Sequence, residues 1–254
     1  MPPMPCGPAV RIADDYDAMS RQAAQDICQE LARYPNLLLC AATGSSPARA
    51  YELLAQHYHR EPQQFDRLRV LKLDEWGGLP MDHPATCEAY LRQHLVQPLQ
   101  LSAGRYIGFA SNPSDPAAEC ACISDWLAKQ GPIGVTVLGL GANGHLALNE
   151  PAETLPALAH VAALSAESLQ HPMLRSSGAR PSFGLTLGIG ELLRSRKILL
   201  LVSGPHKRKQ LQRLLTSEIS TRFPASLLWL HPNVTVFCDR EAAAELEPYP
   251  PNHH

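Results

Sequence analysis

Strand-sized apolar runs, each followed by a helical pattern, constrain this chain more than any other feature. Residues 37–42 and 198–202 are continuous apolar stretches, residues 134–138 are β-branched and apolar, and residues 69–73 (Arg-Val-Leu-Lys-Leu) read as a further strand. A strand with no polar face must be covered on both sides, as in a parallel sheet held between layers of helices. The intervening segments have the matching periodicity. Met19, Ala23, Ile27 and Leu31 fall four apart within residues 14–33, and Tyr51, Leu53 and Leu54 mark a helix over 47–57 with Pro47 at its first position. Tyr90, Leu91 and Leu95 do the same for 86–97, Ile123, Trp126 and Leu127 for 116–130, and Leu211, Leu214 and Leu215 for a basic helix opening at 203–207. Shorter strands are expected at 105–109, 161–164, 182–187, 227–230 and 234–238, with a short helix at 188–193. The pattern predicts a three-layer α/β/α architecture with a mostly parallel, Rossmann-like sheet. Neither repeats nor low-complexity linkers interrupt residues 1–254, so a single domain is expected, with a Pro-rich, frayed tail from about 247.

Composition narrows the partners. Hydrophobic residues make up 45% of 254, ample for a packed core. A formal net charge of -2 with both signs interspersed provides no electrostatic footprint for nucleic acid or an anionic membrane. A small-molecule partner is therefore expected. The N-terminal residues lack a basic segment followed by an apolar run, and the longest apolar stretches are strand-sized, so a cytoplasmic location is expected. Seven cysteines are dispersed except for Cys120 and Cys122, which is no disulfide framework. That pair lacks the second pair a zinc site needs, so reduced thiols and no metal are expected.

Chemistry-bearing residues cluster where the predicted strands end. Thr43-Gly44-Ser45-Ser46-Pro47 separates a strand from a helix, and hydroxyl residues with free main-chain N–H groups at a helix start suit a phosphate as well as they suit an ordinary cap. Asp74 and Glu75 follow the 69–73 strand, where two acids could equally end a strand in solvent. The third cluster, residues 139–151, packs Gly139, Gly141, Asn143, Gly144, His145 and Glu150 into a turn after the 134–138 strand. Lys207 occupies the corresponding place after 197–202. A parallel sheet brings all of these to one edge, the edge where ligands bind in open α/β folds. A phosphate cradle beside a carboxylate and an imidazole–carboxylate couple suggests proton transfer on a phosphorylated substrate. Residues 139–144 also satisfy G-x-G-x-x-G, but Asn149-Glu150-Pro151 interrupts the long helix a dinucleotide fold requires, and no nicotinamide cofactor is expected.

The residues 42–47 (Ala-Thr-Gly-Ser-Ser-Pro), 73–76 (Leu-Asp-Glu-Trp) and 139–151 together resemble the three signatures of the glucosamine-6-phosphate deaminase and isomerase family, in order and spacing. Residues 185–190, 201–207 and 230–233 match as well, so the resemblance spans about residue 10 to about residue 245. The Leu-Asp-Glu-Trp form, Thr86-Cys87-Glu88 and Asn143-Gly144-His145 are most similar to its galactosamine-6-phosphate branch. The resemblance implies conversion of galactosamine 6-phosphate to tagatose 6-phosphate and ammonia, or of glucosamine 6-phosphate to fructose 6-phosphate and ammonia, with no cofactor. It implies that His145, oriented by Glu150, opens the sugar ring, and that Asp74 moves the C2 proton. It implies phosphate contacts from Thr43, Gly44, Ser45, Ser46 and Lys207; His171 and Arg175, in an irregular segment that matches no motif, are candidates for a further phosphate or lid contact. A homo-oligomer would be in keeping with the family. Two departures stand out. Asn143 occupies a position where glucosamine-type members carry an aspartate, and His160-Val161-Ala162 replaces the basic pair of the allosteric activator site, so activation by an N-acetylated sugar phosphate is not expected. The related 6-phosphogluconolactonases are an alternative enzyme, although they continue the Gly-His core differently and need no C2 base. A non-catalytic sugar-phosphate-sensing domain is a second alternative, and the joint presence of Asp74, His145 and Glu150 argues against it.

Overall fold

The apolar runs at 37–42 and 198–202 become strands of one sheet, separated by a single strand, with a core on each face of the sheet. The computed structural model describes residues 7–246. Within β2 (Leu38–Ala41), Leu38 and Cys40 point into one core and Leu39 and Ala41 into the other. The same division recurs in β9 (Lys197–Val202), with Ile198, Leu200 and Val202 against Leu199 and Leu201. This two-sided burial is why neither strand shows polar alternation. One core is closed by α4 (Pro116–Gln130), α7 (Arg208–Leu214) and α8 (Arg240–Ala243), the other by α1 (Tyr16–Arg33) and α2 (Ser45–Arg60).

Seven strands form the main sheet, in the order β1-β10-β9-β6-β2-β3-β5, where β1 is Ala9–Ala13, β3 Arg69–Lys72, β5 Tyr106–Ile107, β6 Val135–Gly139 and β10 Val234–Asp239. Every pairing in it is parallel, as expected for a three-layer α/β/α fold. From β2 the chain moves outward through β3 to β5, and from β6 it moves the opposite way through β9 to β10. The β2–β6 boundary is thus a topological switch point, where the loops diverge and leave a crevice above the carboxyl ends.

A second, three-stranded antiparallel sheet lies beyond what the sequence pattern predicts. It orders β4 (Asp74–Gly77), β8 (Phe183–Thr186) and β7 (His160–Ala162), with Asp74 opposite Thr186. Residues 74–77 therefore do not merely end β3; they turn directly into another sheet. Trp76, Leu79, Cys87, Leu148 and Leu174 form its small core.

Several boundaries also differ from expectation. Residues 227–230 are no strand but part of the 3₁₀ run Pro224–Leu230, in which Pro224 sets the entry dihedral. The helix α2 starts at Ser45, so Pro47 is its third residue rather than its first. The expected helix over 86–97 is α3 (Cys87–Leu91), capped by the Thr86 hydroxyl, continued by a wider turn in which Gln97 N–H bonds to Arg92 O. Strand β1 and helix α8 had no clear periodicity, and α5 (Pro172–Ser177) and α6 (Ile189–Leu192) are short. The expected frayed tail from 247 lies outside the described residues. Among these residues, no helix is long and apolar enough to cross a membrane.

Candidate active site

A cavity of about 600 Å³ opens above the switch point, and all three sequence clusters line it. Thr43, Gly44, Ser45 and Ser46 come from the β2–α2 turn, Asp74 from the β3–β4 junction, His145 from the loop after β6, and Lys207 from the turn after β9. His171 and Ser168 reach it from the segment between β7 and α5.

The β2–α2 turn is built for an anion. Gly44 has φ of 104°, a conformation that favours glycine, and no side chain caps the first turn of α2, which also carries no acid. Tyr90 Oη donates to Gly44 O at 2.6 Å and Tyr16 Oη to Ser45 O at 2.5 Å, tying the turn's carbonyls down. The uncapped N–H groups and the helix dipole favour negative charge there. Lys207 adds a cation; burial lowers its pKa from the ordinary lysine value.

His171 lines the same end of the cavity, but not as a cation. Burial, with the charges of His145 and Lys207 added, pushes its pKa down to about 4. Its Nδ1 accepts the Met173 N–H at 3.4 Å, so the proton of the neutral ring resides on Nε2, which lies near Gly44. His171 can therefore donate one hydrogen bond to a ligand. Arg175 is different: it is exposed in the last turn of α5 and does not line the cavity. Helix α5 buries Leu174 and turns its next residue outward.

Asp74 is the buried acid of the cavity. Burial pushes its carboxyl up to about 7, the charge of Glu75 adds to this, and Cys87 and Lys72 oppose it. A carboxylate with that affinity can take and return a proton near neutral pH.

His145 and Glu150 meet across a tight loop. Nδ1 of His145 lies 3.4 Å from Oε2 of Glu150, close enough for an ion pair although off the line of a well-formed hydrogen bond. Gly141 makes room for the imidazole, since a Cβ there would lie 2.2 Å from His145 Cδ2. Gly144, at φ 89°, packs against Phe223. Asn143 holds both partners: its Nδ2 donates to Glu150 Oε2 at 2.8 Å and its Oδ1 accepts the His145 N–H at 3.1 Å. Ser168 donates to the other Glu150 oxygen. Burial alone would raise the Glu150 pKa, but His145, Ser168 and Asn143 outweigh it and hold the carboxyl at about 2. Glu150 is thus a permanent anion beside the imidazole.

Some of the site escaped sequence reasoning. Ser168 sits in the irregular 163–171 segment, where nothing singled it out. Glu75 reads as one of two strand-ending acids, yet it is fully buried and bonded to Lys72 Nζ at 2.7 Å. A lysine inside an otherwise buried strand was the available signal, because a buried ammonium needs a partner. No cluster of side chains suited to a metal ion occurs among the described residues.

Known proteins are similar to this chain in sequence and in overall fold. A profile described as glucosamine-6-phosphate isomerases/6-phosphogluconolactonase matches residues 14–237. A relative in Escherichia coli (strain K12) that bears the name "Putative deaminase AgaI" is 40% identical over 220 residues, 87% of each chain. The glucosamine-6-phosphate deaminase of Bacillus pumilus is 35% identical over 91% of this chain and 97% of its own. Among solved structures, a monomeric glucosamine-6-phosphate deaminase superposes with a TM-score of 0.87 at 33% identity, covering 93% of this chain and 99% of that one. The 6-phosphogluconolactonase of Trypanosoma brucei superposes with a TM-score of 0.72 at 20% identity, covering 94% and 99%, and shares the fold. With a profile match over most of its length and relatives aligned nearly end to end, this chain belongs to the glucosamine-6-phosphate isomerase/6-phosphogluconolactonase family.

Proposed function

We propose that the protein is an amino-sugar 6-phosphate deaminase that converts galactosamine 6-phosphate and water to tagatose 6-phosphate and ammonia, with glucosamine 6-phosphate as the poorer substrate. The observation that carries this reading is Asp74: a buried carboxyl pushed up to about 7, in one cavity with the 43–46 turn and with His145, which Glu150 backs. Deaminase relatives at 35% and 40% identity support the reaction class. The resemblance of residues 73–76, Leu-Asp-Glu-Trp, to the galactosamine-6-phosphate branch supports the galactose configuration.

The phosphate is held by the N–H groups and hydroxyls of residues 43–46 and by Lys207, which fixes the sugar relative to Asp74. His145 moves a proton from the anomeric hydroxyl to the ring oxygen, and the ring opens to the aldehyde. The anionic Glu150 stabilises the imidazolium formed on the way. Asp74 removes the proton from C2, giving an enolamine across C1 and C2, and returns it to C1. The C2 imine so formed adds water and expels ammonia, leaving the ketose. Oxidation at C2 is balanced by reduction at C1, so no external electron acceptor is needed. A lactone hydrolase would have no use for a base at Asp74.

Asp74→Asn tests the reading. Exchange of the C2 proton with solvent should be abolished while inorganic phosphate still binds; a fully active variant would remove Asp74 from the chemistry.

A further inference from the structure

A buried thiol touches the acid on which the proposed chemistry depends. Sγ of Cys87 lies 3.8 Å from Oδ1 of Asp74 and 3.5 Å from Oγ1 of Thr43. Cys87 is buried, and among the described residues its thiol makes the only side-chain hydrogen bond to Asp74.

The position of that thiol is fixed by Glu75. One oxygen of the Glu75 carboxylate accepts the N–H groups of Trp76 at 2.8 Å and Cys87 at 2.7 Å, and the other accepts the Glu88 N–H at 2.9 Å and Lys72 Nζ at 2.7 Å. Lys72 also donates to Glu88 at 2.8 Å, and Tyr106 Oη donates to the same Glu88 oxygen at 2.8 Å. Lys72 and Glu75 are wholly buried. A single carboxylate thus ties the β3–β4 junction, which carries Asp74, to the first residue of α3, which is Cys87. Truncating Lys72 would leave the buried Glu75 carboxylate without its cation, so the clamp depends on that pair.

Burial and the charges of Glu75 and Asp74 push the Cys87 thiol well above its ordinary range, so it keeps its proton near neutral pH and acts toward the carboxylate as a donor. A thiol is a weak donor. Donors to a carboxylate lower its proton affinity according to their strength, so a hydroxyl in this place would weaken the base and a methyl would leave the oxygen unheld.

We propose that Cys87, held by Glu75, is a positioning residue for Asp74: its S–H fixes Oδ1, sets the proton affinity of the carboxylate and leaves Oδ2 as the oxygen presented to substrate. This assignment rests on Asp74 being the base of the proposed deaminase. Cys87→Ser supplies a stronger donor of nearly the same shape, and Cys87→Ala removes the donor. The Asp74 carboxyl is titrated by ¹³C NMR in the free protein, with its signal identified through Asp74→Asn, beside the pH dependence of kcat/KM for ammonia release. In Cys87→Ser the titration should fall about one pH unit below that of the parent, and in Cys87→Ala it should rise by about as much; the acid limb of kcat/KM should follow each. Titrations that stay in place, or that move in one direction in both variants, overturn the proposal even if activity falls, because a merely structural cysteine gives that result. If Cys87→Ala does not fold, Cys87→Ser decides alone: a lower titration supports the proposal, and an unchanged or higher one refutes it. Opposite shifts without ammonia release would uphold Cys87 and reject the deaminase reading, whereas ammonia release with unmoved titrations would do the reverse.

Discussion

Nδ1 of His145 stands 3.4 Å from Oε2 of Glu150, and Asn143 donates a 2.8 Å hydrogen bond to that same oxygen. The carboxylate favours the imidazole tautomer protonated on Nδ1, which leaves Nε2 as the acceptor for a substrate proton. The amide of Asn143 carries no charge, yet it bonds to both partners, so its part in the couple is to set geometry.

Asn143→Ala removes the bond to Glu150 and the acceptor for the His145 N–H together. The expected result is a fall in kcat of roughly 10²-fold, with inorganic phosphate binding unchanged. Asn143→Asp instead sets a second carboxyl against Glu150. Two such groups cannot both ionise freely, so the pair should titrate above the value of about 2 at which Glu150 is held. Steady-state kinetics of both variants across pH checks the two effects separately.

The raised pKa of Asp74 predicts opposite consequences for activity and stability. The base acts in its ionised form, so kcat/KM should rise with pH through about 7. Because the folded-state pKa is raised, the stability it contributes is complete below the unfolded value near 3.8 and is lost as pH climbs through about 7. Asp74→Asn escapes this loss. Denaturant unfolding at pH 8 should find the variant more stable than the parent by on the order of a few kcal/mol, with the gap closing near pH 4.

Gly141→Ala isolates the placement of the imidazole. The backbone at Gly141 lies outside the left-handed region, so alanine is tolerated there, but its Cβ would lie 2.2 Å from His145 Cδ2. The variant should fold, bind inorganic phosphate and lose about 10²-fold in kcat/KM. Circular dichroism and kinetics on the same preparation check this.

Lys207 and Arg175 make a contrasting pair of cations. Lys207 lines the cavity and Arg175 does not. Lys207→Met should raise KM about 10- to 100-fold through loss of a charge-assisted phosphate contact. Arg175→Ala should leave both kinetic constants within about twofold. Measured KM values for the two variants, side by side, decide whether the cavity lining identifies the phosphate site.

Much of this arrangement was legible from local pattern. Two-sided burial leaves continuous apolar runs, and those of β2 and β9 are read directly from residues 37–42 and 198–202. Parallel strands all end on one edge, which is why turns 43–47, 74–75 and 139–150 converge. The antiparallel sheet was not legible, since its pairing joins Asp74 to Thr186 across a span that no local period encodes. Residues 227–230 have the apolar character of a strand, but Pro224 starts a 3₁₀ run through them. The neutrality of His171 and the contact between Cys87 and Asp74 depend on what packs around them, and composition is silent on that.

The central claim is tested most directly by incubating the protein with galactosamine 6-phosphate and with glucosamine 6-phosphate in deuterated water, measuring ammonia, ketose phosphate and deuterium at C1. The account predicts ammonia and tagatose 6-phosphate in equal amounts from the galactosamine substrate, deuterium incorporated at C1 through Asp74, and slower release from the glucosamine substrate. No ammonia from either would contradict it.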